Sequence, residues 1–214
     1  MFVIPLFPLG TVLFPGTPLP LHVFEPRYRA LMQDVMSRPQ PWSFGVIAIR
    51  EGYEVGSASV KSLYDVGCTA VMQEVEQFPD GRYAVLLIGD RRFRVAALDE
   101  SLPYLQAEVE FLDEGSSVAA SDAGDSVRHQ FADYCEALGA SSVRDSLPAE
   151  PTQLSYVVAS TMLIALGDRQ ELLETPETAQ RLQAEAGLLS RELGLIRTGT
   201  VPVAPPRLPP SSLN

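Results

Sequence analysis

The chain has 214 residues, of which 46% are hydrophobic and 20% charged, a composition typical of globular proteins with a sizeable core. Its formal net charge of −11 at pH 7 disfavours nucleic acid as a partner, because phosphate contacts supply most non-specific affinity. No apolar run approaches the ~20 residues of a membrane span and the N-terminus lacks the basic region of a signal peptide, so we expect a cytoplasmic protein without a membrane segment.

The N-terminal segment, residues 4–29, is the most patterned part of the chain. Since proline fixes φ and offers no backbone donor, its proline content predicts short edge strands and turns. The pattern changes at Glu25, a candidate helix cap, which Pro26 follows at the first helical position. Apolar residues then recur at helical spacing, so a helix is predicted from about Pro26 to about Ser37. The prolines of the segment are Pro5, Pro8, Pro15, Pro18 and Pro20.

Short apolar or alternating runs follow this helix and predict β-strands. The turn sequence Pro79-Asp80-Gly81 predicts a hairpin between two of them, and a second turn is expected just before Arg91. Several short strands in succession indicate a small, mainly antiparallel barrel or sandwich with one inserted helix. The predicted strands span residues 41–50, 68–78, 82–90, 91–98 and 104–112.

Residues 113–126 form an acidic linker of small residues, which predicts a domain boundary. Apolar residues beyond it recur every 3.6 residues and predict three to four helices packed as a small bundle. One helix is expected to end near Gly139 and the next at Gly167, while Thr175 and Pro176 are expected to begin the last. The predicted organisation is a β domain at 1–115, a helical domain at 116–197, and a proline-rich tail at 198–214 that is extended or disordered.

Four segments together resemble the Lon N-terminal, substrate-binding domain family. They are IPLFPLGTVLFPG, PLHVFEPRYRALM, LYDVGCTAVM and DGRYAVLLIGDRRFRV. The resemblance covers roughly residues 1–197 and implies an α+β fold, in which a PUA-like β pseudo-barrel with an inserted helix precedes a helical bundle. It also implies a free-standing bacterial member, without ATPase or protease domains, whose β domain recognises peptides or proteins.

Catalytic patterns do not support an enzyme. The chain's single lysine, Lys61, follows valine, so a Walker A loop cannot form, and a serine–lysine dyad would depend on Lys61 alone. His22 and His129 lack the orienting partners of a catalytic triad. Cys68 and Cys135 are isolated, so the sequence predicts buried reduced thiols and neither a metal site nor any cofactor.

The sequence FEPRY contains the most interesting candidate site. In an architectural interpretation Glu25 caps the helix, Arg27 pairs with a carboxylate, and Tyr28 packs with its hydroxyl at the rim. In a functional interpretation Glu25, Arg27 and Tyr28 lie beside a groove and hold an extended peptide. Strand edges left unpaired around the prolines could also accept an added strand.

A second candidate is the only basic cluster, formed by Arg91, Arg92 and Arg94. It is interpreted either as a basic contact patch or as solvated arginines beside a hairpin turn. It is the sole support for an RNA-binding, PUA-like protein.

We therefore predict a non-catalytic module that binds peptides, unfolded segments, or a partner protein such as a protease. Two alternatives remain, RNA binding and an unrecognised hydrolase for which no nucleophile and base can be named. The sequence leaves the oligomeric state open.

Overall fold

The computed structural model describes residues 2–54, 60–115, 120–140 and 147–199. The chain divides into two compact units, with the division falling after Leu112. The predicted tail, apart from its first two residues, lies outside the described residues. None of the helices in the described ranges is long and apolar enough to cross a membrane.

The N-terminal unit contains six strands and one helix, and the C-terminal unit contains four described helices. The first comprises β1 (Phe2–Leu9), β2 (Pro18–Val23), α1 (Pro26–Met36), β3 (Ser43–Gly52), β4 (Val60–Gln77), β5 (Tyr83–Asp99) and β6 (Gln106–Phe111). The second comprises α2 (Ser121–Ala137), α3 (Pro151–Thr161), α4 (Leu166–Glu174) and α5 (Thr178–Arg197).

The strands form one sheet in the order β2-β5-β4-β3-β1-β6, which closes because β5 also pairs with β6. This closed, mainly antiparallel arrangement and the four C-terminal helices confirm the predicted α+β fold with its β pseudo-barrel. The pair β1–β3 is parallel, which the sequence did not predict. Parallel neighbours need a crossover connection, and the segment that contains β2 and α1 supplies it.

Helix α1 packs its apolar face into the main core of the β unit. Tyr28, Leu31, Met32 and Val35 are all buried, which confirms the helical spacing of these residues. A smaller cluster around Phe93 fills the other end of the barrel. There the absence of a side chain at Gly67 is needed, since a Cβ would lie 2.5 Å from both the Val46 carbonyl oxygen and the Phe93 ring.

The turn expected before Arg91 is wrong, because β5 runs without interruption from Tyr83 to Asp99. Gly89, which lies next to the expected turn, is part of this strand and allows another segment of backbone to approach closely. A Cβ there would collide with the carbonyl oxygen of Phe14, and Gly89 donates a backbone hydrogen bond of 3.0 Å to Thr17. By contrast, the hairpin turn at Gly81 is confirmed by its φ of 82°.

In the helical unit, the apolar face of α2 is confirmed, but α2 begins at Ser121, inside the segment predicted as a linker, 113–126. Two further helix boundaries also differ from the prediction. Helix α3 ends at Thr161 rather than at Gly167, because the backbone is extended at Met162 and the Leu163 N–H donates to the Tyr134 hydroxyl at 3.0 Å. Gly167 instead lies at the start of α4. The expected start of α5 is also wrong, since Thr175 ends α4 and Glu177 precedes the first residue of α5.

Candidate peptide-binding groove

Helix α1 begins beside the candidate site, and Glu25 occupies its N-cap position. The Glu25 side chain makes no capping hydrogen bond, so the predicted side-chain cap is wrong. Its carboxylate lies instead 3.2 Å from the Arg27 guanidinium, with both side chains largely buried. The extended backbone of Glu25 and the fixed φ of Pro26 are therefore what start the helix.

Three contacts hold the Arg27 side chain in place. Besides pairing with Glu25, its Nη2 donates a hydrogen bond of 3.1 Å to the Glu54 carbonyl oxygen. Its guanidinium carbon lies 4.5 Å from the centroid of the Tyr28 ring, a cation–π distance. The Glu54 carboxylate also accepts a hydrogen bond from the Gly10 N–H. Arg27 therefore links the start of α1 to the segment after β3.

Tyr28 belongs to the core rather than to the surface. It is 4% exposed, and its ring stacks on Phe7 with centroids 3.9 Å apart. Burial raises the pKa of the Tyr28 phenol to about 12, an effect that Arg27 partly offsets. The hydroxyl is consequently protonated and neutral at physiological pH.

A groove of about 470 Å³ lies next to these two residues. One wall is the start of β4, residues 60–63, and the opposite wall is Leu98 near the end of β5. The connection from β5 to β6, residues 102–105, forms another side, and Arg27 and Tyr28 line the remainder. The structure thus places two of the three predicted FEPRY residues directly at a groove.

The groove exists because β4 and β5 diverge at this point. Their pairing ends at Val66 and Arg94, after which β5 continues only with β6 as far as Asp99. The start of β4 remains paired with β3 through Leu63, Ser62 and Val60. Two extended segments therefore separate, and the space between them is open.

The lining of the groove combines apolar side chains with a few polar ones. Leu98 and Leu102 are 49% and 40% exposed, which is unusual for large apolar residues that lie this close together. Tyr104 is buried beside them, and its hydroxyl donates to the Asp34 carboxylate at 2.7 Å. Lys61 and Glu100 contribute one charge of each sign. Such a lining suits an apolar segment with a polar backbone.

Sequence reasoning missed Leu98, Leu102 and Tyr104. One signal was present for Leu98, because the alternation predicted for 91–98 turns Phe93 and Val95 inward and leaves a leucine on the outward face. Leu102 and Tyr104 lie in a connection without periodicity, so their position depends on where β5 ends.

The three arginines of the basic cluster do not form one exposed patch. Arg92 is fully buried, whereas Arg91 and Arg94 are exposed. The Arg91 guanidinium lies over the Phe111 ring at 4.4 Å, and Arg94 lies directly opposite Glu110 on β6. A cross-strand glutamate offsets the positive charge at this position. Nucleic-acid contacts by Arg91 and Arg94 stay a prediction.

The other singled-out residues form no site in the part of the chain that the structure describes. His22 and His129 are exposed, and the His129 Nδ1 lies 2.7 Å from the Asp125 carbonyl oxygen. Cys68 and Cys135 are buried and form no disulfide, and burial raises the pKa of Cys135 to about 11. Among the described residues, no group of three or more His, Cys, Asp or Glu side chains could hold a metal ion. Lys61 lies in β4, which begins eight residues before the strand predicted at 68–78.

Comparison with known proteins identifies similar chains. Residues 3–191 match the family described as the ATP-dependent protease La (LON) substrate-binding domain. The chain is 30% identical over 208 residues to Lon protease 2 of Sorangium cellulosum, covering 91% of this chain and 25% of that protein. It is 29% identical to Lon protease 2 of Syntrophobacter fumaroxidans, covering 85% and 23% respectively. The chain therefore spans about a quarter of the length of these curated relatives.

Two solved structures share the fold. A Lon N-terminal domain protein from Xanthomonas campestris superposes with a TM-score of 0.61 at 25% identity, covering 89% of this chain and 98% of that one. The N-terminal domain of the Mycobacterium avium complex Lon protease superposes with a TM-score of 0.66, covering 88% and 98%. At 16% identity the second match supports the fold alone.

Proposed function

Since this chain belongs to the family of LON substrate-binding domains, we propose that it is a non-catalytic module that binds unfolded polypeptide segments in the groove between β4 and β5. The observation that carries the proposal is the opening of the barrel beside Arg27, with exposed leucines on its rim. The proposal includes a cytoplasmic location and a partner that is a peptide, an unfolded client or a protease.

Exposed leucines favour a partner with apolar side chains. Burying one leucine side chain contributes roughly 1.5–3 kcal/mol, and Leu98 and Leu102 are each about half accessible before binding. Association also costs several kcal/mol in lost translational and rotational freedom. We therefore expect weak binding, with dissociation constants on the order of micromolar, as suits a module that samples many clients.

The FEPRY residues have graded roles in this proposal. Arg27 presents along one wall a guanidinium held by Glu25, Glu54 and Tyr28, a group that donates hydrogen bonds to a carbonyl or carboxylate and accepts none. Glu25 orients Arg27 through their ion pair, and Tyr28 supports both from the core. Glu25 and Tyr28 thus act mainly through Arg27 rather than by touching the peptide.

No specific observation supports either alternative function, RNA binding or hydrolysis. For RNA binding, the burial of Arg92 and the Arg94–Glu110 pairing weaken the basic cluster. For a hydrolase, the Ser62 hydroxyl beside Lys61 has no hydrogen-bond partner among the described residues, so no base is paired with it. We propose neither.

The test uses Lys61, which lines the groove and is the chain's single lysine. An amine-acylating reagent at about pH 8 labels Lys61 and the chain's α-amino group, and mass spectrometry reports the rate at each. The probe is reduced, carboxamidomethylated α-lactalbumin with dimethylated lysines, which stays unfolded and does not consume the reagent. Native α-lactalbumin with the same dimethylation is the matched folded control.

We expect the unfolded probe to slow acylation of Lys61 by about threefold or more, which corresponds to occupancy of most sites. The α-amino group should react at the same rate with either form. Equal rates at Lys61 with unfolded and folded α-lactalbumin, up to the solubility of the probe, would contradict the proposal.

A further inference from the structure

Resting on the proposed function, we propose in addition that the segment in the groove binds as an added β-strand along residues 60–65 of β4. This mode names the class of partner, an extended apolar segment with free backbone N–H groups. It excludes segments in which proline removes those donors.

The first observation concerns the edge of β4. Its ladder with β5 runs from Gln77 back to Val66 and stops there, while its ladder with β3 continues to Val60. Within residues 60–65 of this strand, Val60, Ser62 and Leu63 pair with β3, in a ladder that contains register shifts. No strand among the described residues pairs with them on the other side, which faces the groove. A strand edge of this kind presents unpaired backbone N–H and C=O groups that can form hydrogen bonds with another strand.

The second observation concerns β5, whose end also presents an edge. Phe93 and Arg94 pair with β4 and with β6 at once, so β4 and β6 lie on opposite edges of β5. From Val95 to Asp99 only the β6 side is paired within the described residues. Two unpaired strand edges thus face one groove. The unpaired N–H and C=O groups of a strand edge need backbone acceptors and donors. An extended polypeptide segment supplies both, so it is the ligand that fits this groove.

Side chains at the groove agree with such an occupant. The Ser62 hydroxyl is buried and has no hydrogen-bond partner among the described residues, an arrangement that calls for a polar group from outside. Leu98 and Leu102 offer apolar contact to alternate side chains of the same segment. Backbone hydrogen bonds to the bound segment would supply the affinity. Contacts with the two leucines would give the preference for apolar side chains in that segment.

The outer edge of the sheet at β2 is a poorer receptor. Pro18 and Pro20 alternate along β2, so the two missing N–H groups fall on the same side of the strand. Since β2 pairs with β5 along its whole length, these prolines are tolerated on the side that faces away from β5. Prolines on an edge prevent strand addition. The groove edge of β4 is therefore the favoured site.

The experiment measures amide hydrogen exchange in the ¹⁵N-labelled full chain, with and without the unfolded α-lactalbumin described above. In the free protein, the amides of residues 60–65 that do not bond to β3 should exchange rapidly, and those bonded to β3 should be protected. Register shifts in this part of the β3–β4 ladder break the strict alternation of the two sets, so each amide is assigned to its set from its exchange rate in the free protein. Saturating probe should slow the rapid set by about tenfold or more, with little change in the other set. The set bonded to β3 serves as the internal reference for global stabilisation.

Two other outcomes overturn the proposal and are distinguishable. If the probe shields Lys61 from acylation but leaves exchange at 60–65 unchanged, the groove binds by side chains alone and the proposed function stands. If the probe neither shields Lys61 nor alters exchange, the proposed function fails together with the added strand.

Discussion

The rings of Phe7 on β1 and Tyr28 on α1 stack with centroids 3.9 Å apart and an angle of 18° between their planes. Tyr28 is 4% exposed, so this contact lies in the core beneath the groove. Tyr28 lines the groove, but its burial leaves little of the side chain accessible to a ligand. A tyrosine on the surface would be free to contact a peptide directly.

Tyr28→Ala should lower the free energy of unfolding by about 3–5 kcal/mol, because it leaves a cavity between Phe7 and α1. Tyr28→Phe keeps the stacked ring and should cost about 1 kcal/mol or less. Urea titration followed by circular dichroism measures both. If Tyr28→Ala kept full stability while losing the unfolded probe, Tyr28 would be a contact residue and its structural assignment would be wrong.

Arg27→Lys should destabilise the chain by roughly 1 kcal/mol and weaken binding of the probe, although the charge is kept. Lysine cannot at once pair with Glu25, donate to the Glu54 carbonyl and cover the Tyr28 ring, as the planar guanidinium does. Urea titration and fluorescence anisotropy provide the two readouts.

Arg94→Lys is the matched control, because Arg94 is exposed on β5 and away from the groove lining. It should change both quantities little. Indistinguishable effects of the two substitutions would show that the contacts of Arg27 carry no special role.

Gly67→Ala should destabilise the β unit by about 2 kcal/mol or more, since a methyl group there would press on the Val46 carbonyl and the Phe93 ring. Gly187→Ala in α5 meets no atom within 4 Å and should instead stabilise its helix by about 0.5–1 kcal/mol. Thermal unfolding of both variants checks the opposite signs. A neutral Gly67→Ala would contradict the close packing of β3, β4 and β5 at this end of the barrel.

Glu185 in α5 should make stability depend on pH. Burial raises the pKa of its carboxyl to about 8, despite a hydrogen bond of 2.6 Å from the Ser155 hydroxyl and the nearby Arg181 guanidinium. The folded state therefore holds this proton more tightly than the unfolded state, whose ordinary value is 4.5. The contribution is complete below about pH 4.5 and is lost as the pH rises towards 8.

Glu185→Gln keeps a neutral side chain and should remove this part of the pH dependence, making the variant more stable than the parent above about pH 8. Glu171→Gln is the control, since Glu171 is exposed on α4. Urea titrations at several pH values compare the three proteins. Parallel pH profiles for parent and Glu185→Gln would mean that Glu185 titrates normally.

Most of the fold could be predicted because local patterns and packing agree. The helical spacing of Tyr28, Leu31 and Val35, and the turn at Gly81, specify their elements through residue chemistry alone. The turn expected before Arg91 was wrong because the glycine next to it, Gly89, could serve either a turn or a close backbone approach, and only the position of Phe14 in the fold decides between them. Likewise, the end of α3 depends on the distant Tyr134 hydroxyl.

The candidate site could be predicted only in part. Arg27 and Tyr28 lie at the groove, as one interpretation of FEPRY required. The opposite wall could not be predicted, since it arises where the pairing of β5 with β4 ends at Arg94 while its pairing with β6 continues to Asp99. The local sequence pattern of a strand does not show which distant strands pair with it. Leu98 and Leu102 therefore come to line the groove only when the barrel closes.

The most direct measurement is the affinity of the full chain for unfolded α-lactalbumin, by anisotropy, in Leu98→Ser/Leu102→Ser and in Leu163→Ser. Leu163 is the matched control, a leucine of 43% exposure in the helical unit, compared with 49% and 40% for the groove pair. Losing both groove leucines should weaken binding by about tenfold or more, or about 1.4 kcal/mol, while the control binds as the parent does. Unchanged binding by the double variant would contradict the groove as the recognition site.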